Sequence, residues 1–172
     1  MSEESIKIVS YNPAWIGIYE TERNFLYSLL GDYVQGSIEH VGSTSVVGMV
    51  AKPIIDIMVG VKSLNASTGA IELLSNNSYC YYPYKADVMH WFCKPSPEFR
   101  THHLHLVPFN SPLWDERIAF RELLRSNSDV ASDYVSLKKV LAHKYENDRE
   151  AYTQQKWPFI KKALESIENV GS

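Results

Sequence analysis

Two neighbouring segments of this chain combine residue types that can do phosphate chemistry. The first runs from Ile38 to Val41 and ends in Gly42-Ser43-Thr44-Ser45. A small, hydroxyl-rich turn after a strand presents backbone N–H groups to a phosphate. The second, Pro53–Val61, is rich in Ile and Val yet carries one carboxylate, Asp56. An acid there could hold a divalent cation against that phosphate. The turn also suits a plainer role, with Ser43 or Thr44 capping a short helix. It matches neither a P-loop nor a dinucleotide fingerprint. Asp56 is either a metal ligand or acid–base group, or the partner of a structural Arg or Lys, because an isolated carboxylate among apolar residues is costly. Period-two geometry puts Met58 on the face of Asp56, where a Mg²⁺ site would welcome a second acid.

Histidines collect in the same part of the chain. In Thr101-His102-His103-Leu104-His105, strand alternation directs His103 and His105 to one face and His102 to the other. Two imidazoles at i, i+2 can converge on a metal or a phosphate, or form a partly exposed face of hydrogen-bonded rings. A transition metal held by Asp56, His103 and His105 is chemically reasonable, whereas Mg²⁺ prefers oxygen ligands. Glu39 and His40 also alternate, so only one of them can share the site's face. Arg117, Arg121 and Arg125 line one helical face, with Lys138-Lys139 on the next helix. Such a stripe is either a solvated face or a cationic wall for a triphosphate. No Ser/His/Asp or Cys/His set can be ordered from spacing.

The surrounding pattern predicts the elements that position these residues. Asn12-Pro13 opens a helix carrying Trp15, Ile18, Tyr19, Leu26, Leu29 and Leu30, which Gly31 ends. Ser37–Val41 reads as a short strand, Ser45 to Val50 as one or two helical turns, and Pro53–Val61 as a strand buried on both faces. Asn65 is placed to cap a helix through Leu74. Strands are expected at Tyr79–Tyr84, Met89–Lys94 and Arg100–Phe109. From Ser111 onward the pattern is helical: Ser111-Pro112 to about Arg125, then a helix capped by Ser128 or Asp129. A long last helix follows to about Ile167, which Pro158 should bend or break. Strands in succession followed by helices argue for an α+β fold, a small mixed β-sheet flanked by helices with a C-terminal helical tail.

Composition sets outer limits. At 172 residues the chain reads as a single domain over 1–172, long enough to bury about 70% of its unfolded surface. A net charge of −3 gives no support to a nucleic-acid-binding face, and no apolar run is long enough to span a bilayer. The polar, acidic start MSEESIKIV is unlike a secretory signal, so a cytoplasmic protein is expected. Cys80 and Cys93 match no metal or redox spacing. A hairpin with Lys85–Val88 as its loop would set them opposite each other as thiols.

Taken together, Gly42-Ser43-Thr44-Ser45, Lys52-Pro53-Ile54-Ile55-Asp56-Ile57, Thr101-His102-His103-Leu104-His105, Ala119-Phe120-Arg121 and Asp148-Arg149-Glu150-Ala151-Tyr152 resemble the GrpB family. The likeness covers nearly the whole chain, from Tyr11 to Phe159. That family is similar to the nucleotidyltransferase superfamily, which implies a nucleotidyltransferase-like fold. It further implies a glycine-serine turn for a nucleoside triphosphate, an acid-x-acid strand for Mg²⁺, and a third acid on a neighbouring strand. By position, Asp56 takes the catalytic acid's place. Gly42 and Ser43 match the turn, and the histidine strand lies roughly at the third acid. In the transfer reading Thr44, Lys52 and Arg121 join the nucleotide's side, with Asp56, His103 and His105 around a divalent metal. Met58 stands where the second acid belongs. The resemblance therefore implies one of two functions. One is transfer of a nucleoside monophosphate from an NTP to a small acceptor. The other is a catalytically silent ligand-binding or assembly module, as suggested by relatives fused to dephospho-CoA kinase. Either way the expected partner is a nucleotide or another phosphorylated small molecule.

Overall fold

The computed structural model describes residues 5–170. Its centre is a five-stranded sheet in the order β1-β2-β5-β4-β3. The strands are β1 (Val34–Val41), β2 (Ile55–Val61), β3 (Cys80–Tyr82), β4 (His90–Pro95) and β5 (Arg100–Pro108). Only β2 and β5 run parallel; the other neighbours are antiparallel. Among the described residues five α-helices surround the sheet: α1 (Ala14–Leu30), α2 (Thr68–Ser75), α3 (Pro112–Ser126), α4 (Ser128–Lys144) and α5 (Arg149–Val170). The expected α+β architecture is thus the observed one, and no helix is long and apolar enough to cross a membrane among the described residues.

Alternation along the strands gives the sheet two unlike faces. One is apolar: Ile38, Ile55, Ile57, Val59, Val61, Phe92, Leu104 and Leu106 pack against Trp15, Tyr19, Leu26 and Leu30 of α1 and Ala70 and Leu74 of α2. Burial of this layer supplies the main hydrophobic drive to fold. The opposite face mixes charge with packing. Val41, Met58, Met89 and Val107 form a smaller cluster with Trp114 of α3, and the polar residues lie beside it.

Local details differ from expectation at the helix ends. Asn12 does serve α1, its Oδ1 accepting from Ala14 N at 2.9 Å. The cap of α4 is Asn127, which accepts from the N–H groups of Asp129 and Val130 at 3.1 Å each. Ser128 and Asp129 are already inside that helix. Asn65 begins a short 3₁₀ turn, Asn65–Ser67, and Ser63 Oγ takes the Ala66 N–H at 3.0 Å. Helical turns after Ser45 are replaced by one tight 3₁₀ turn at Ser43–Ser45. Helix α5 continues through Pro158, forgoing one backbone bond rather than breaking. Cys80 and Cys93 are directly paired across β3 and β4, and both are free thiols.

Candidate functional site

The site is built where β1 and β2 end side by side. Val41 is paired with Asp56, so the turn leaving β1 passes over the Asp56 carboxylate. Gly42 makes this approach possible. Its φ is +73°, and a Cβ placed there would lie 2.5 Å from Asp56 Oδ2. Backbone that close to an acid leaves room for glycine alone.

Behind the turn, the chain is fixed by buried polar contacts. His40 Nε2 and Thr44 Oγ1 share a hydrogen bond of 2.8 Å, and the imidazole stacks on Tyr19 at 4.6 Å between centroids. Burial lowers the His40 pKa to about 4, so the ring is neutral. Thr44, expected on the nucleotide side, is buried and engaged with this ring. Arg125 donates twice to the Ser45 carbonyl, at 2.8 and 3.1 Å. Arg121 donates to Glu39 Oε2 at 2.9 Å and to the His40 carbonyl at 3.0 Å. The arginine stripe therefore faces the sheet and braces the turn. Arg121, expected at the nucleotide, is held in this brace by Glu39.

Strand register brings together the residues around Asp56. Asp56 lies beside His103 and Met58 beside His105 in the parallel β2–β5 pair, while Glu39 faces Met58 from β1. His103 Nδ1 is 3.2 Å from Asp56 Oδ1, and His105 Nε2 is 3.6 Å from the same oxygen. Burial pushes the Asp56 carboxyl up, but the hydrogen bonds from these imidazoles outweigh it and hold the group well below its usual range. Burial keeps His105 neutral, with a pKa lowered to about 4. Arg117 of α3 reaches His105 Nδ1 at 3.1 Å.

Three lysines complete the arrangement. Lys138 of α4 is only 2% exposed, and its Nζ donates to Ser43 Oγ at 2.9 Å and to the Val50 carbonyl. Lys52 and Lys156 share one buried ring, their Nζ atoms lying 4.8 and 4.5 Å from the Tyr152 centroid. None of the three forms an ion pair with a carboxylate among the described residues. Burial, reinforced by mutual repulsion, lowers Lys52 and Lys138 to about 7. Burial lowers Lys156 to about 8, with Asp56 opposing the shift. Of this set the sequence alone points to Lys52; Lys138 stands there only beside an arginine stripe, and Lys156 in no motif. The available signal is helical period: Lys138 falls in step with buried Tyr134, Leu141 and Ala142, and Lys156 with Tyr152 and Ala163.

The residues expected to share a metal do not fit one. Their nitrogens point at the Asp56 oxygen and not at a common centre. Among the described residues, no group of three His, Cys, Asp or Glu side chains could hold a metal ion. Met58, fully buried in its apolar cluster, supplies no donor in place of a second acid.

Comparison with known proteins places the chain. Residues 5–166 match the family described as GrpB protein. The chain belongs to the GrpB family. It is 33% identical to the glutamate-rich protein GrpB of Alkalihalophilus pseudofirmus, covering 97% of this chain and 98% of that one. It is also 33% identical to the UPF0157 protein PA4798 of Pseudomonas aeruginosa, over 94% of this chain and 67% of the relative. With the Bacillus subtilis UPF0157 protein YqkA it shares 30% identity, spanning about half (48%) of that longer protein. Among solved structures, GrpB from Enterococcus faecalis superposes with a TM-score of 0.81 at 30% identity, covering 94% of this chain and 99% of that one. A chain of the GLD-2/RNP-8 complex shares the fold alone, with a TM-score of 0.54 at 15% identity over 88% of this chain and 58% of that one.

Proposed function

We propose that this GrpB-family chain binds the phosphate tail of a nucleotide, or of another phosphorylated small molecule, and transfers a nucleoside monophosphate from an NTP to a small acceptor. The carrying observation is a set of three partly or fully buried lysines, Lys138 against Ser43 of the turn and Lys52 and Lys156 over the Tyr152 ring, none of which forms an ion pair with a carboxylate among the described residues. Buried cations are costly unless an anion neutralises them, and a polyphosphate supplies several negative charges within a few ångströms. Ser43 adds a hydroxyl, and the turn adds backbone N–H groups at the same spot.

In this reading the lysines take the β- and γ-phosphates and then neutralise the departing pyrophosphate. Asp56, with 30% of its side chain open, faces the reacting end and orients His103 and His105. No step is routed through a resident metal, since the donors do not form a site for one. A specific observation favours a second reading, a binding module without turnover: the buried Met58 where a second acid is expected.

Calorimetric titration with ATP, GTP, CTP and UTP, alone and with Mg²⁺ or Mn²⁺, separates these readings when combined with product analysis of α-labelled nucleotides. Binding with pyrophosphate release supports transfer, and binding without release supports the module. Absence of binding by nucleotides, pyrophosphate and tripolyphosphate alike overturns both.

A further inference from the structure

We propose that His103 is a nucleophile, its Nε2 accepting the nucleotidyl group from a bound NTP to give a covalent nucleotidyl-histidine. This rests on the phosphate-binding reading and adds the atom that attacks.

Hydrogen-bond directions single out that atom. A guanidinium can only donate, so the 3.1 Å contact from Arg117 Nη1 to His105 Nδ1 requires a lone pair on that nitrogen. The proton of neutral His105 is therefore on Nε2, facing Asp56 Oδ1 at 3.6 Å. The ionised Asp56 can only accept, so at 3.2 Å it takes the Nδ1 proton of His103. His103 Nε2 is left with its lone pair. That nitrogen, like His90 Nδ1 and His105 Nε2, is buried without a hydrogen-bond partner among the described residues, an arrangement folded proteins rarely keep without a use. Among the site's two imidazoles, His103 Nε2 is the one that carries a free lone pair there. His105 cannot play the same part, because Arg117 occupies its lone pair.

The surroundings favour attack on phosphorus over proton abstraction. A carboxylate on Nδ1 orients an imidazole for either task. Trp91 lies against the ring at 5.1 Å between centroids. Besides Asp56, the charges of Lys52 and Arg100 act on His103. A general base would become an imidazolium among those cations. Bonding to a phosphoryl group instead places a negative oxygen beside them and leaves no net charge on the modified side chain.

The step balances as follows. The Nε2 lone pair forms a bond to the α-phosphorus, and the bond from that phosphorus to the bridging oxygen breaks. The electron pair leaves with pyrophosphate, which the lysines neutralise, while the Nδ1 proton stays on Asp56's hydrogen bond. An acceptor hydroxyl then attacks the same phosphorus, the N–P bond returns its electrons to Nε2, and the hydroxyl proton passes to solvent.

The test uses the full chain with each α-³²P-labelled NTP, with and without Mg²⁺, and tandem mass spectrometry of the product. The expected result is up to one label per chain, stable in alkali, lost in acid and located on His103. A γ-labelled nucleotide should leave none. His103→Gln should lower labelling at least 100-fold while circular dichroism and NTP titration show an intact, binding-competent protein; His103→Asn serves if the Gln variant does not fold. Three outcomes overturn the proposal: NTP binding without label, label on Lys52 or another histidine, or undiminished label in the variant. If no nucleotide binds at all, the underlying phosphate reading fails with it.

Discussion

Replacing Lys138 with Met should change stability with opposite sign at low and high pH. The ammonium is buried, and its pKa falls from 10.5 in the unfolded chain to about 7 in the fold. Below about pH 7 both states hold the proton, and the folded state bears the whole penalty. Between that value and 10.5 the folded state releases its proton, so the penalty shrinks as pH rises. At about 1.36 kcal/mol per pH unit, the penalty is about 5 kcal/mol at pH 6 and about 2 kcal/mol at pH 9. Against this, the variant leaves Ser43 Oγ and the Val50 carbonyl without their donor, a loss of about 3 kcal/mol for the two. The variant should then be about 2 kcal/mol more stable near pH 6 and about 1 kcal/mol less stable near pH 9. For a chain of this length that is a Tm rise of about 6 °C and a fall of about 3 °C. Lys52 and Lys156 repel Lys138, and that repulsion is already contained in its lowered pKa and so in the gain at low pH. Differential scanning calorimetry of both proteins across this range reads the crossing. Tripolyphosphate should raise the Tm of the wild type and hardly that of the variant. A difference of one sign at every pH would refute the claim that uncompensated charge governs this position.

Asp56→Asn should destabilise by about 2 kcal/mol at neutral pH, the scale of a hydrogen bond from a neutral imidazole to a charged carboxylate; urea unfolding checks this. Because the folded pKa of Asp56 lies below 3.8, the wild-type advantage should be full above that value and fade as pH falls through the folded one, so the two proteins should converge in strong acid. Gly42→Ala should cost about 2 kcal/mol from the positive φ alone, and should also weaken phosphate binding by pushing Asp56 aside, which titration with pyrophosphate measures. Arg125→Gln should loosen the turn at Ser45 and reduce pyrophosphate affinity more than global stability; faster amide exchange at Ser43–Ser45 would support this, and unchanged exchange would count against it.

The sheet was legible because a strand's two-residue period is unambiguous when one face is buried. His103 and His105 could be assigned to a common face from alternation alone, and the Cys80–Cys93 pairing from a four-residue loop, whereas the place of Asp56 beside them is set by the β2–β5 register. Helix caps were less legible, since several small polar residues stand near each start and only backbone geometry decides which one accepts. The arginine stripe was ambiguous for a different reason. A guanidinium on a long stem can reach across an interface, so the same spacing serves a solvated face or a brace. Glu39 and the carbonyls of His40 and Ser45 decide it here, and these lie some eighty residues earlier in the chain.

The lysines show why charge balance carries more information about this site than motif matching. A turn with one acid beside it invites a metal, and a metal site gains from added carboxylates. This face instead sets Asp56 among Lys52, Lys156 and Arg117, with Lys138 behind the turn, while Glu39 on the same face is taken up by Arg121. Met58 closes the position from which a second acid could have reduced the excess. A bare cation entering here would add to the repulsion that already depresses the lysines. An anion would relieve it, and a tail of three or four negative charges would match it most closely. Asp56 then has a narrower task than gathering cations: by accepting a hydrogen bond from His103 Nδ1–H it fixes the tautomer of that ring and leaves the lone pair on Nε2.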